Sequence, residues 1–153
     1  MHCHNFLPPY ILKYFESRAK HYLDFNKIDP LALHINSVWV NETRRYEYNP
    51  VHIHQGTLFT GLSSVMFLKM CDMGPEISRS DQPLNGRLQI MGSSSGQFVK
   101  SDYSPKAQER DFYLFPYDMR HCVYPHNNPN GVRRTLVVNM DIEYDPVKSR
   151  SAG

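Results

Sequence analysis

From residue 34 onward the chain is cut into short β-like runs by glycine, proline, asparagine and serine, and this punctuation narrows the choice of fold more than any other feature. The runs are His34–Asn41, Val51–Thr57, Leu62–Met70, Gly86–Met91, Gln97–Lys100, Asp111–Phe115, His121–Tyr124 and Arg133–Tyr144. Ahead of them, Ile11, Leu12, Tyr14, Phe15, Ala19, Tyr22 and Leu23 approximate one face of a helix over 11–25, after the start signal Pro8-Pro9. One helix followed by so many short strands predicts a mainly β protein, a double-stranded β-helix (jelly-roll, cupin-like barrel) with an N-terminal helix.

A length of 153 residues fits one domain with one core. The expected division is a single domain over 1–153, with a helical N-terminal segment over 1–34, a barrel over 35–144 and a polar tail over 145–153. The 12% aromatic content and the 11 prolines lean toward strands joined by turns. Within the barrel, residues 41–49 read as a polar rim carrying Tyr46 and Tyr48, 92–96 and 125–131 as loops, and 73–85 as either a substrate-covering loop or a disordered insertion.

Several function classes find no support. The formal charge is +2 with bases and acids interspersed, so no nucleic-acid partner is indicated. No apolar run approaches bilayer length, and the N-terminus has polar residues and histidines where a secretory leader has its apolar stretch, which makes the cytoplasm the expected address. Cys3, Cys71 and Cys122 contain no C-x-x-C pair and are odd in number, so they read as reduced thiols.

The segment Asn49-Pro50-Val51-His52-Ile53-His54-Gln55-Gly56 carries the chemistry. Alternate residues of a strand share a face, so His52 and His54 point the same way. An H-x-H pair alone is more often two rim histidines than a metal site. A third histidine, His121, follows the proline-started turn after Phe115, and a rolled barrel can bring it opposite the first pair. Three protein imidazoles suit a transition metal and leave coordination positions open, as a catalytic site requires. His2 and His4 lie at the N-terminus, where chains fray, and His21, His34 and His126 lack a partner at strand spacing; all five read as surface histidines, with His126 near enough to His121 to substitute for it.

In the last strand Arg133, Thr135, Val137 and Asn139 share one face and Arg134, Leu136 and Val138 the other, so one arginine points inward. An inward guanidinium in a small barrel needs an anion, and its fork fits a carboxylate, with the Thr135 hydroxyl as a second donor. The plainer alternative is an ion pair with Asp111, Asp118 or Glu143.

In these residues the chain resembles the 2-oxoglutarate/Fe(II) oxygenases of the prolyl-hydroxylase-like group, short proteins common in phage and marine bacterial sequences. The likeness spans 37–144 and rests on Trp39-Val40-Asn41, Asn49 to His54, Ser64 to Leu68, Phe115-Pro116 to His121, and Arg133-Arg134-Thr135 to Asn139. The resemblance implies Fe(II) as cofactor and 2-oxoglutarate as cosubstrate. It makes His52 the first ligand, puts His54 where that superfamily has an aspartate or glutamate, and makes His121 the distal ligand. Arg133, twelve residues beyond His121, matches the arginine that binds the far carboxylate of 2-oxoglutarate, with Thr135 as its hydroxyl companion. Phe67 falls where a tyrosine commonly adds a hydroxyl, which Tyr113, Tyr117 or Ser64 would have to replace. The implied reaction is hydroxylation of a small-molecule or peptide substrate, with no catalytic side chain beyond the ligands. A cupin-like metalloenzyme, a zinc enzyme and a non-catalytic phage jelly-roll binding protein are the competing readings. The tyrosines Tyr46, Tyr48, Tyr103 and Tyr117 line the barrel mouth or simply pack it.

Overall fold

The structure is a computed structural model that describes residues 7–93 and 96–147. Helix α1 (Pro9–Phe25) begins on proline, which tolerates the first turn because its missing N–H has no helical partner there. The helix ends in a Schellman closure: the Ile28 N–H donates to Leu23 O at 2.9 Å and the Lys27 N–H to Asp24 O at 3.0 Å, with Lys27 in the left-handed region at φ 55°. Phe15, Ala19 and Leu23, one face of the helix, are buried.

Eight strands follow: β1 (Pro30–Thr43), β2 (Asn49–His52), β3 (Gly61–Lys69), β4 (Leu88–Met91), β5 (Asp102–Tyr103), β6 (Phe112–Pro116), β7 (Arg120–Val123) and β8 (Arg133–Tyr144). They form two four-stranded antiparallel sheets, ordered β1-β8-β3-β6 and β2-β7-β4-β5. The chain crosses from sheet to sheet at almost every connection, which is the winding of a jelly roll. The fold is therefore the expected double-stranded β-helix with an N-terminal helix.

The central strand β8 is buried on both faces, and its parity organises the molecule. Leu136, Val138, Met140 and Ile142 pack with Phe15, Ala19 and Leu23 of α1, Val38 of β1 and Leu62 of β3. Val137 belongs instead to a second core with Val65, Phe67, Leu88, Ile90, Phe115 and Val123, between the sheets. The remaining residues in register with Val137, namely Arg133, Thr135, Asn139 and Asp141, are polar and also buried. One side of β8 thus supplies apolar burial and the other a polar stripe.

Three expected boundaries need correction. The helical N-terminal segment does not extend to residue 34, because β1 starts at Pro30, where its first residues pair with the far end of β8. No strand forms over Gln97–Lys100: Val99 N–H closes a turn on Gly96 O, and the arm that pairs with β4 is Asp102–Tyr103. The strand expected over Val51–Thr57 ends at His52, after a register break in its pairing with β7. The stretch 73–85 is irregular but built around Asn85, whose Nδ2 donates to Pro75 O at 2.8 Å and whose Oδ1 accepts from Ile77 N–H at 3.2 Å. His2, His4, Cys3 and residues 148–153 of the expected tail lie outside the described residues. Among the described residues no helix is long and apolar enough to cross a membrane.

Because Lys27 occupies a backbone region that penalises any Cβ, Lys27→Gly is expected to stabilise the protein by about 1 kcal/mol. A urea melt that shows a loss instead would mean that the Lys27 side chain contributes more than its backbone costs.

Candidate metal centre

His52 ends β2 and His121 lies in β7, and the two face each other directly across the antiparallel pair, with ring centroids 4.2 Å apart. His54 comes from the loop after β2, so strand alternation does not place it. Its backbone N–H donates to Tyr117 O at 2.9 Å, and its ring stacks on His121 at 4.9 Å. One ring nitrogen from each histidine lies within 4.8 Å of the others. The Nε2 atoms of His54 and His121 are 3.1 Å apart, close to the ~3.0 Å separating two nitrogens at right angles on ~2.1 Å metal bonds.

The opposite ring nitrogens are held. His52 Nδ1 lies 2.7 Å from Pro50 O, and His121 Nδ1 lies 3.0 Å from Met119 O. A carbonyl only accepts, so both Nδ1 atoms carry the proton and both Nε2 lone pairs are free, the outer-shell arrangement of metal-bound imidazoles. His54 Nδ1 faces the side-chain amide of Asn139 at 3.3 Å, while Asn139 Oδ1 is buried without a partner. The opposite orientation of that amide would let Oδ1 accept from His54 Nδ1–H and free the third Nε2. Asn139 was legible only as an inward residue of the last strand; its partner could not be read before the fold set His54 beside it.

Burial, with the neighbouring His121 and His52, pulls the His54 pKa down to about 4. Burial also lowers that of His121, opposed by the Met119 carbonyl and reinforced by His52. Both imidazoles are therefore neutral at pH 7, the state that ligation needs.

Arg133 is 1% exposed and lines one cavity with the three histidines, Trp39 and Thr135. Burial draws its pKa down to about 10, which leaves the guanidinium cationic at neutral pH. None of the expected ion pairs with Asp111, Asp118 or Glu143 forms. Asp111 accepts from Gln108 N–H at 2.8 Å, Glu143 faces His34, and Arg133 Nε and Nη2 are buried without any partner. The guanidinium lies over the Phe67 ring at 4.8 Å. Arg134, on the other face, takes Glu42 as its partner, so the one-in, one-out reading holds.

Two proposed replacements for the missing tyrosine hydroxyl are committed elsewhere. Tyr117 is buried and its O–H donates to Asp141 at 3.0 Å; Ser64 lies on the helix side of β3 and donates to Val138 O at 2.9 Å. Tyr113 meets the Phe67 ring edge-on at 5.9 Å, but its hydroxyl is 3.4 Å from Asp111, and burial together with that carboxylate raises its pKa to about 12. Of the mouth tyrosines, Tyr46, Tyr48 and Tyr103 are exposed and Tyr117 is not. His126 is not a surface histidine and not a substitute ligand: it is 1% exposed, and its Nε2–H donates to Thr43 O at 3.2 Å, fastening the 125–131 loop to the end of β1. His21 and His34 are exposed. No residue of 73–85 lines the histidine cavity, so that stretch does not cover it.

A jelly roll whose two sheets enclose a histidine triad and a buried, unpaired arginine is a double-stranded β-helix protein with the cupin-like barrel architecture. More particularly, the chain belongs to the family described as "Putative 2OG-Fe(II) oxygenase", whose model matches residues 37–139. Solved structures agree in fold. An oxidoreductase of the 2OG-Fe(II) oxygenase family from Burkholderia pseudomallei superposes with a TM-score of 0.59 at 14% identity, over 81% of this chain and 52% of that one. A non-heme monooxygenase, the ThoJ–Ni complex, gives 0.51 at 12% identity over 72% of this chain and 44% of that one. The chain thus spans about half the length of these neighbours or less. The search of curated proteins finds no match. The family implies Fe(II) and 2-oxoglutarate, and the triad can hold a metal ion.

A depressed histidine pKa means that the unfolded chain takes up a proton at a pH where the folded chain does not. Metal-free protein is therefore expected to hold His54's contribution fully above about pH 6.5 and to lose it as the pH falls toward about 4. Urea midpoints in chelator across that window should fall more steeply for the native chain than for His54→Gln; parallel curves would contradict the assignment.

Proposed function

We propose that this chain is an Fe(II)- and 2-oxoglutarate-dependent hydroxylase acting on a small molecule or peptide. The observation that carries the reading is Arg133: a buried cation with two unpartnered nitrogens, lining the same cavity as the three histidines. Leaving a guanidinium desolvated and unpaired is unfavourable by several kcal/mol unless an anion arrives, and a carboxylate satisfies its fork. A dicarboxylate with a keto-acid end answers both halves of the cavity.

In this reading His52, His54 and His121 would hold the metal, a set of three protein ligands of the kind a catalytic ion takes. Bound Fe(II) supplies the redox chemistry by which 2-oxoglutarate and oxygen yield succinate, carbon dioxide and a hydroxylated substrate. The protein's share is placement and shielding. Arg133 and the Thr135 hydroxyl hold the far carboxylate, while Val65, Leu88 and Val137 keep the cavity wall apolar. Because His54 stands where the wider superfamily has a carboxylate, the ligand set is uncharged. Such an uncharged set would leave a bound cation's charge to be met by a dianionic cosubstrate, and weak dielectric screening in the cavity would strengthen that attraction. The cytoplasm suits a protein that needs reduced iron and whose Cys71 and Cys122 are free thiols.

Replacing Arg133 separates binding from stability. Arg133→Met is expected to raise the 2-oxoglutarate concentration needed for succinate formation roughly 100-fold, the cost of losing a buried charged partner. The same change should leave the melting temperature of the cosubstrate-free protein unchanged or higher, because it removes an unpaired charge. His121→Ala should abolish succinate formation. Native-like 2-oxoglutarate dependence in Arg133→Met, or no Fe(II)-dependent succinate from the native chain, would contradict the proposal.

A further inference from the structure

The segment that presents His54 has no apolar anchor. No apolar residue from Ile53 to Thr60 is fully buried, His54 itself is half-buried, and Ile53 and Phe59 are strongly exposed. What it has instead is a carboxylate. Asp141, the inward residue of β8 next beyond Asn139, is 4% exposed and forms no ion pair among the described residues. Its Oδ2 accepts the Thr57 N–H at 3.0 Å, the Leu58 N–H at 3.2 Å and the Asn36 side-chain amide at 3.2 Å; its Oδ1 accepts the Tyr117 hydroxyl at 3.0 Å. Tyr117 in turn accepts the His54 N–H on its own carbonyl, so the carboxylate grips the segment on both sides of Gly56. The fit at Gly56 leaves no room for a side chain: a Cβ there would lie 1.8 Å from Asp141 Oδ1.

We infer that Asp141 is a positioning residue for the metal centre, whose carboxylate holds the 54–58 segment so that the His54 imidazole reaches the other two. This rests on the reading of the triad as a metal site. A buried carboxylate with four neutral donors and no cation is an expensive way to fasten a surface loop, and a fixed ligand is what it secures here. The same strand that offers Arg133 to an anion then also sets the third ligand, which places both halves of the cavity on one rigid element.

The test is a Co(II) titration of the full chain, followed by the cobalt absorption spectrum, in the native protein, His54→Ala, Asp141→Asn, Tyr117→Phe and Gly56→Ala. Amide exchange at Thr57 and Leu58 is measured alongside in the metal-free proteins. Each of the last three variants is expected to bind Co(II) about 10- to 100-fold more weakly, the usual effect of removing an outer-shell partner. Their cobalt spectra should move toward that of His54→Ala, and the two amides should exchange faster. If Asp141→Asn fails to fold, Tyr117→Phe and Gly56→Ala carry the same test with the carboxylate in place. Folded variants that keep native affinity and spectrum would overturn the role of Asp141 while leaving the triad intact; a native chain that binds no Co(II) would overturn both.

Discussion

A guanidinium buried between two sheets with no acidic side chain paired to it is the constraint around which this molecule is arranged. Arg133 reaches that position because β8 is an inner strand of its sheet and alternates, apolar toward α1 from Leu136 to Ile142 and, Val137 apart, polar toward the opposite sheet. The helix-side face, with Val138 and Met140 fully buried, gives the strand enough apolar burial to hold an unsatisfied charge on the other. A buried cation without a partner in the chain is complementary to an anion, and under the proposed function the stabilisation forgone would return on binding.

The histidines obey a complementary logic. Two backbone carbonyls fix the Nδ1 protons of His52 and His121, and burial keeps His54 and His121 neutral, so that donor lone pairs and not charges face the cavity. Cation and neutral ligands line one small space without an acid to cancel either. Such a lining is complementary to an anion, and no carboxylate stands among the residues lining the cavity.

How much of this was legible in the sequence depended on whether a residue's role was local or collective. Strand alternation sufficed to turn Arg133 inward and Arg134 outward, and the punctuation of short runs sufficed for the jelly roll. The opposition of His52 and His121 is a cross-strand pairing that the family resemblance anticipated and spacing alone does not. His54 came to its place for a reason other than the one its spacing suggests, since the strand stops at His52 and hydrogen bonds take over. His126 was misread because a histidine serving as a buried loop clasp has no sequence signature. Asp141 and Asn139 were invisible as site residues because, Tyr117 apart, their partners are more than 80 residues away in sequence, and only the fold brings them together. The Gln97–Lys100 run had strand-like residues but no neighbour with which to pair.

The most direct measurement of the central claim is an anaerobic titration of the iron-loaded native chain with 2-oxoglutarate, following the weak visible charge-transfer absorption that a keto acid chelated to Fe(II) produces. The account requires the band to appear in the native chain, to be absent from His121→Ala, and to need far more cosubstrate in Arg133→Met. Iron bound at the triad with no band at any 2-oxoglutarate concentration would contradict it.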